Sequence, residues 1–253
     1  MRHDVQLQLV SYEGASEVSS KGRSRPMYEL YIANKNYSSW SLRPWVLMRE
    51  LQIPFVERLL PFGEASSWDP YRKISPSGKV PCLVDGDTIV WDSLAIAEYL
   101  AERHGAVWPV DRGARAWGRS AAAEMHSGFN ELRNRCSMTC GVRVRLREFP
   151  MALDRDISRL SALWSDGLRR FGGPFLTGDA FTAVDAFFAP VAFRIRSYGL
   201  NPDPVAAEYG VRLLRVRAMK DWYADALKEK FRDLPHEEEM LQMGSVLEDL
   251  REK

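Results

Sequence analysis

The sequence predicts an α/β unit followed by an all-helical one, and three observations carry that expectation. Short β-rich runs fall between residues 28 and 91, and no further β pattern follows. One helical pattern separates the first two runs, so they form a β-α-β unit with parallel strands. Beyond residue 105, apolar residues recur every three or four positions.

Taken in order, Tyr28–Ala33 (YELYIA) reads as the first strand. Ser41–Leu51 (SLRPWVLMREL) places Leu42, Trp45 and Val46 at helical spacing. Pro44 then falls in a first turn, where its missing N–H has no partner to lose. Pro54–Leu60 is a second strand, followed by a loop with room for one short helix. KVPCLV and TIVW flank Asp85-Gly86, a hairpin signal. Asp92–Gly105 is a helix opened by Asp92 or Ser93, with Leu94, Ile96, Tyr99 and Leu100 on its apolar side. The order β-α-β, hairpin, α is the thioredoxin-like layout, a four-stranded mixed sheet with helices on its faces.

Residues 107–118 read as a linker. Trp117, Ala121, Met125, Phe129, Leu132 and Cys136 then mark one long helix, and Leu153 to Leu168 a second. The expected division is therefore an α/β domain at 27–107 and an all-helical domain at 116–250. Residues 1–26, rich in Ser, Gly and charge, read as a disordered extension without the apolar core of a signal peptide.

Composition narrows the function classes. Of 253 residues, 35 are Lys or Arg and 34 Asp or Glu, a balance that gives nucleic acid or an anionic membrane no electrostatic hold. No apolar run approaches a membrane span. The three cysteines, Cys82, Cys136 and Cys140, are too few and too odd in number for a disulfide scaffold, and point to a reducing compartment, the cytoplasm. Cys136 and Cys140 stand one helical turn apart. Only His126 is near them in sequence, so they read as small buried residues and no metal is expected.

Three motifs carry chemistry. Asn36–Trp45 (NYSSWSLRPW) crowds hydroxyls where a helix starts. Free N–H groups and the helix dipole favour an anion there. The alternative is that one of Ser38, Ser39 and Ser41 caps the helix. In SGKVPCL, a cis Val80–Pro81 bond would turn the Val80 main chain outward to pair with an extended peptide; the alternative is a trans proline opening a strand. In WDSLAI, Asp92 can hold an ammonium group while Ser93 and the helix N–H groups hold a carboxylate, together one amino-acid zwitterion; the alternative is a plain Asp92 cap. Thr182-x-x-Asp185 is a structural capping pair, with Pro190 bending or ending its helix. His126, Asn130 and Arg133 share one face of the long helix and, with Trp40 and Met138, could line a second pocket. Arg143–Arg147 (RVRLR) reads as a surface feature able to attract an acidic substrate.

In this order and spacing the motifs resemble the glutathione S-transferase family, and its serine-type, zeta-like members above all. SSWSLR resembles the serine signature, KVP the proline loop, and DS before LAIAEYL the γ-glutamyl site; the resemblance covers nearly all the chain from Met27. It implies the glutathione S-transferase fold, glutathione as co-substrate, and a detoxifying conjugation to a small electrophile held by the helical domain. It implies that Ser38, with Ser39 as runner-up, hydrogen-bonds the glutathione sulfur. Val80, before Pro81, would pair with the cysteinyl part, Lys79 lie near the glycyl end, and Asp92 and Ser93 hold the γ-glutamyl end. It implies a two-fold homodimer, and for Thr182 and Asp185 the family's buried cap. Trp40 stands where zeta members carry cysteine, which sets the chain apart from their maleylacetoacetate-type isomerases. Two further functions remain: a non-catalytic ligand-binding member of the fold, and a thiol–disulfide reductase. The latter wants a cysteine at the first helix start, where this chain has serines.

Overall fold

A computed structural model describes residues 28–63 and 71–253. The expected disordered extension lies outside the described residues, as does part of the loop after residue 60. Strand β1 (Tyr28–Ile32) buries Tyr28, Leu30 and Ile32 and leaves Glu29 and Tyr31 half-exposed, the period-two pattern of a strand. It pairs parallel with β2 (Phe55–Leu59), Tyr28 opposite Phe55, and antiparallel with β3 (Cys82–Asp85). β4 (Thr88–Trp91) completes a mixed sheet of order β2-β1-β3-β4. Gly86, at φ 59°, supplies the positive φ that the tight turn between Asp85 and Thr88 requires.

Helix α1 (Ser39–Glu50) joins β1 to β2 and starts two residues earlier than the sequence suggests. Pro44 is therefore its sixth residue and not part of a first turn. It has no N–H to give the Trp40 carbonyl one turn back. Ser41 to Met48 are all buried. The reason is that α1 is wedged between the sheet and the helices that follow. Helix α2 (Ser93–Ala101) closes the α/β part.

The helical part departs from the sequence reading in three places. Asp111 accepts the Ala114 N–H at 2.7 Å and caps α3 (Arg112–Ser127), so most of the expected linker is helix. The long helix is interrupted: Gly128 is extended and Phe129 takes a left-handed φ of 55° before a short α4 (Asn130–Arg135). A Cβ on Gly128 would stand 2.9 Å from the Glu124 carbonyl oxygen, so only glycine allows this turn. Phe129 and Leu132 stay buried, which is why the helical spacing persisted across the break.

The third departure is a β ribbon. β5 (Val142–Leu146) pairs antiparallel with the late strand β6 (Gly244–Asp249). The arginine run is thus one edge of a strand whose other face, Val142 and Val144, is buried. Between these strands come α5 (Met151–Phe171), α6 (Ala183–Tyr198), α7 (Pro204–Arg215), α8 (Arg217–Lys228) and α9 (Leu234–Met243). Helix α6 runs through Pro190 without ending and is buried along most of its length. Trp164 of α5 packs edge-on against Phe188 and Tyr209, with ring centroids 5.6 and 4.8 Å apart. Among the described residues no helix is long and apolar enough to cross a membrane. Cys136 and Cys140 are buried, and burial pushes both thiols up to about 12.

The last residues are fastened by Arg251, whose side chain is nearly buried. It donates to Glu237 at the N-terminal end of α9, to both Asp249 oxygens at 2.9 and 2.8 Å, and to the Tyr37 hydroxyl at 2.9 Å. Burial pushes the Glu237 carboxyl up, but hydrogen bonds from Arg251 and Tyr37 bring it below its ordinary 4.5. Hydrogen bonding to Arg251 likewise holds Asp249 below its ordinary 3.8. Depressed carboxyls stabilise the fold above their unfolded values and stop doing so as pH falls through the folded ones. Lowering the pH from about 5 to about 3 should therefore loosen α9 and β6 before α5. Amide NMR resonances of these elements test this: those of α9 and β6 should move first, and synchronous loss everywhere would refute a local clamp.

Candidate functional site

The turn from β1 into α1 is held from both sides. The Glu229 carboxylate accepts the Lys35 and Asn36 N–H groups at 2.6 and 3.0 Å. The Ser38 N–H donates to the Asn34 carbonyl at 2.9 Å. Ser38 takes the N-cap position, yet its hydroxyl makes no cap. It donates instead to the Ser41 hydroxyl at 2.7 Å, and Ser41 Oγ also accepts the Ala33 N–H at 3.2 Å. The three serines thus divide their work: Ser41 anchors, Ser38 leans on Ser41, and Ser39 stands half-exposed beside them.

A cavity of about 610 Å³ opens over this helix start. Ser38, Ser39 and Trp40 line one side, with Lys79 and Val80 near them. The Val80–Pro81 bond is cis. β3 starts pairing at Cys82, so the main chain of Val80 stands outside the ladder. From the helical part come Arg133, Met138 and Arg194. The fold therefore brings together most of the residues expected to contact the thiol, the cysteinyl–glycyl end and the electrophile.

Four expected residues stand elsewhere. Asp92 caps α2, accepting the Leu94 N–H at 2.8 Å, and its other oxygen lies 3.4 Å from His126 Nε2. Ser93 is buried and accepts from Arg43 at 3.3 Å. His126 meets the edge of Trp40, centroids 5.1 Å apart, without lining the cavity, and burial pushes its imidazole down. Asn130 is exposed. The break at Gly128–Phe129 separates His126 from Asn130 and Arg133, so the three share no single helix face. Their link is a hydrogen bond from Arg133 to the His126 carbonyl at 3.1 Å.

The electrostatics are one-sided. The Trp40 ring has the Arg43 guanidinium 4.2 Å and the Arg133 guanidinium 4.6 Å from its centroid. Arg43 is fully buried, and desolvation, with Arg133 and Arg194 adding, pushes it down to about 9. Burial likewise brings Arg194 to about 10; its Nε donates to the Cys136 carbonyl at 2.7 Å. The cationic charge around Trp40 thus exceeds the nearby carboxylates. An anion in the cavity would relieve it.

Sequence reasoning missed the remaining wall. Tyr37, Asp233, His236 and Glu239 line the cavity, the last three from the start of α9, nearly two hundred residues beyond Ser38. The local signal was Asp233-Leu-Pro-His236, an N-cap pattern with a histidine three residues on.

The model for the glutathione S-transferase N-terminal domain matches residues 37–103. A zeta class glutathione S-transferase of Euphorbia esula is 30% identical over 170 residues, 66% of this chain and 75% of that one. A probable maleylacetoacetate isomerase of Caenorhabditis elegans is 26% identical over 69% of this chain and 82% of its own. Among solved structures, a glutathione transferase homologue from Burkholderia with bound glutathione superposes with a TM-score of 0.58 at 22% identity, covering 79% of this chain and 97% of its own. With 30% identity spread over three quarters of the zeta class relative, the chain belongs to the glutathione S-transferase family, among its zeta-like members.

Proposed function

We propose that this protein is a glutathione transferase whose Ser38 hydroxyl stabilises the glutathione thiolate for attack on a small electrophile. The observation that carries the reading is a serine at a helix N-cap that does not cap, facing a cavity, with Ser41 as its hydrogen-bond partner. The Ser38–Ser41 pair can invert: Ser41 then donates to Ser38, and the Ser38 proton is free to point at a sulfur anion. Ser39 stands close enough to share that contact. Lys79 and the Val80 main chain beside Pro81 suit the glycyl and cysteinyl parts of the tripeptide. The γ-glutamyl end is assigned to Asp92 and Ser93 at the start of α2, which stand outside the lining of this cavity.

On the other wall, Trp40 and Met138 suit an apolar body and Arg133 and Arg194 a negatively charged substituent, so the reading favours an electrophile bearing an anionic group. The same arginines favour an isomerase of the maleylacetoacetate type as second reading, against which stands Trp40 in place of cysteine. A cytoplasmic homodimer, and a division near residues 27–107 and 116–250, belong to the same proposal. Retention on immobilised glutathione, followed by turnover of an electrophilic aryl halide with and without a carboxylate substituent, tests it. Binding with faster turnover of the carboxylated halide is expected; absence of both binding and turnover overturns the reading.

A further inference from the structure

The start of α9 brings a second ionisable pair to the cavity. Asp233 is nearly buried, and its Oδ2 lies 2.5 Å from His236 Nδ1. The His236 ring stacks on Tyr37, centroids 5.2 Å apart at 27°, and lies 4.9 Å from the Phe62 centroid. Tyr37 is in turn held by Arg251 and, at 2.5 Å, by Glu237. The ring is thus fixed in its plane by two aromatics and along its edge by a carboxylate. A carboxylate on Nδ1 selects the tautomer with the proton there, which leaves Nε2 as an acceptor. Nε2 has no hydrogen-bond partner among the described residues. Asp233 and His236 line the same cavity as Ser38, alongside the charged groups Lys79, Arg133, Arg194 and Glu239.

A helix cap needs only an Asp233 oxygen on an N–H, and that bond to the His236 N–H exists at 3.3 Å. Nothing in capping demands a stacked imidazole facing a cavity. A thiolate at Ser38, however, leaves a proton to be placed. A serine hydroxyl can donate to the anion but is no base near neutral pH.

We propose that His236, positioned by Asp233, is the catalytic base that takes the glutathione thiol proton; this rests on the glutathione reading above. The S–H bond breaks, its electron pair stays on sulfur, and the proton passes to Nε2, giving an imidazolium beside the Asp233 carboxylate. Sulfur then forms the bond to the electrophilic carbon. In a substitution the leaving group departs with its electron pair, and the imidazolium returns its proton to that group or to water. In an addition the proton goes to the carbanion formed next to the attacked carbon. Asp233 is the positioning residue.

The test uses the full chain with His236→Asn, whose amide can still donate to Asp233, and His236→Gln as a second variant should the first not fold. Proton release on glutathione binding is measured by calorimetry at neutral pH in two buffers of different ionisation enthalpy. The wild type is expected to release little, because the imidazole keeps the proton. The variant should either release more, with the thiol ionising into water, or bind the thiol protonated, and in both cases kcat should fall about 10²-fold with little change in KM for glutathione. Asp233→Asn should lower kcat in the same direction. Wild-type kcat in the folded variant, whatever its proton release, overturns the proposal. A wild-type chain that binds no glutathione overturns the glutathione reading itself, a result no variant is needed to see.

Discussion

Ser38→Ala should lower conjugation at least about tenfold while glutathione affinity changes little. An unperturbed thiol ionises near about 8.5, and lowering that by two units takes about 2.7 kcal/mol of preference for the thiolate. A hydrogen bond to a charged group is worth about 1.5–3 kcal/mol, and a helix start about 0.3–1 kcal/mol. The hydroxyl is therefore the larger contribution. Losing it should raise the bound thiol by about one to two units, visible in an ultraviolet titration of the thiolate. The substituted chain keeps the Ser38 main-chain bonds to Asn34 and Leu42 that form the turn, so binding through other parts of the tripeptide survives. Ser41→Ala should show a weaker version of the same defect, since Ser41 acts on the thiol only through Ser38 while also accepting the Ala33 N–H. An unchanged titration in Ser38→Ala would remove the serine from its role.

Asp185→Ala should be the most damaging single change to stability away from the cavity. Its carboxylate is fully buried and accepts the Thr182 N–H at 2.9 Å, the Leu176 N–H at 3.0 Å and the Tyr209 hydroxyl at 2.6 Å. One side chain thus caps α6, fastens the preceding loop and ties α6 to α7. Alanine strands three buried donors, each at about 1–3 kcal/mol, so a loss of at least about 3 kcal/mol is expected in denaturant unfolding. Asp185→Asn keeps an acceptor and should cost less. A loss under about 1 kcal/mol for alanine would mean that water replaces the carboxylate.

What was legible in the sequence followed local physics. The β-α-β unit, the Asp85-Gly86 hairpin and the Thr182–Asp185 cap each lie within a short window, and each agrees with the structure. Ser38, Lys79 and Val80, which line the cavity, could be singled out because helix starts and X-Pro strand entries have local signatures. What failed depended on distance. Val142–Leu146 alternates as a strand should, but its partner at Gly244–Asp249 lies about a hundred residues away, so nothing nearby announced a ladder. Phe129 kept helical spacing while Gly128 broke the helix, because periodicity records which residues are buried and not the path between them. His236 reaches the cavity through the Arg251 clamp, a contact spanning more than two hundred residues. Asp92 shows a motif legible in the sequence, whose capping of α2 could be read locally while its contact with His126 could not.

The indole of Trp40, with the guanidinium groups of both Arg43 and Arg133 against its ring, makes this protein its own optical gauge. Trp40 is the only tryptophan among the described residues that lines the cavity. Any molecule that draws Arg133 away, or lays a quenching group against that indole, will alter emission from a single chromophore, and Trp40→Phe would erase the signal while leaving the other seven tryptophans to report folding.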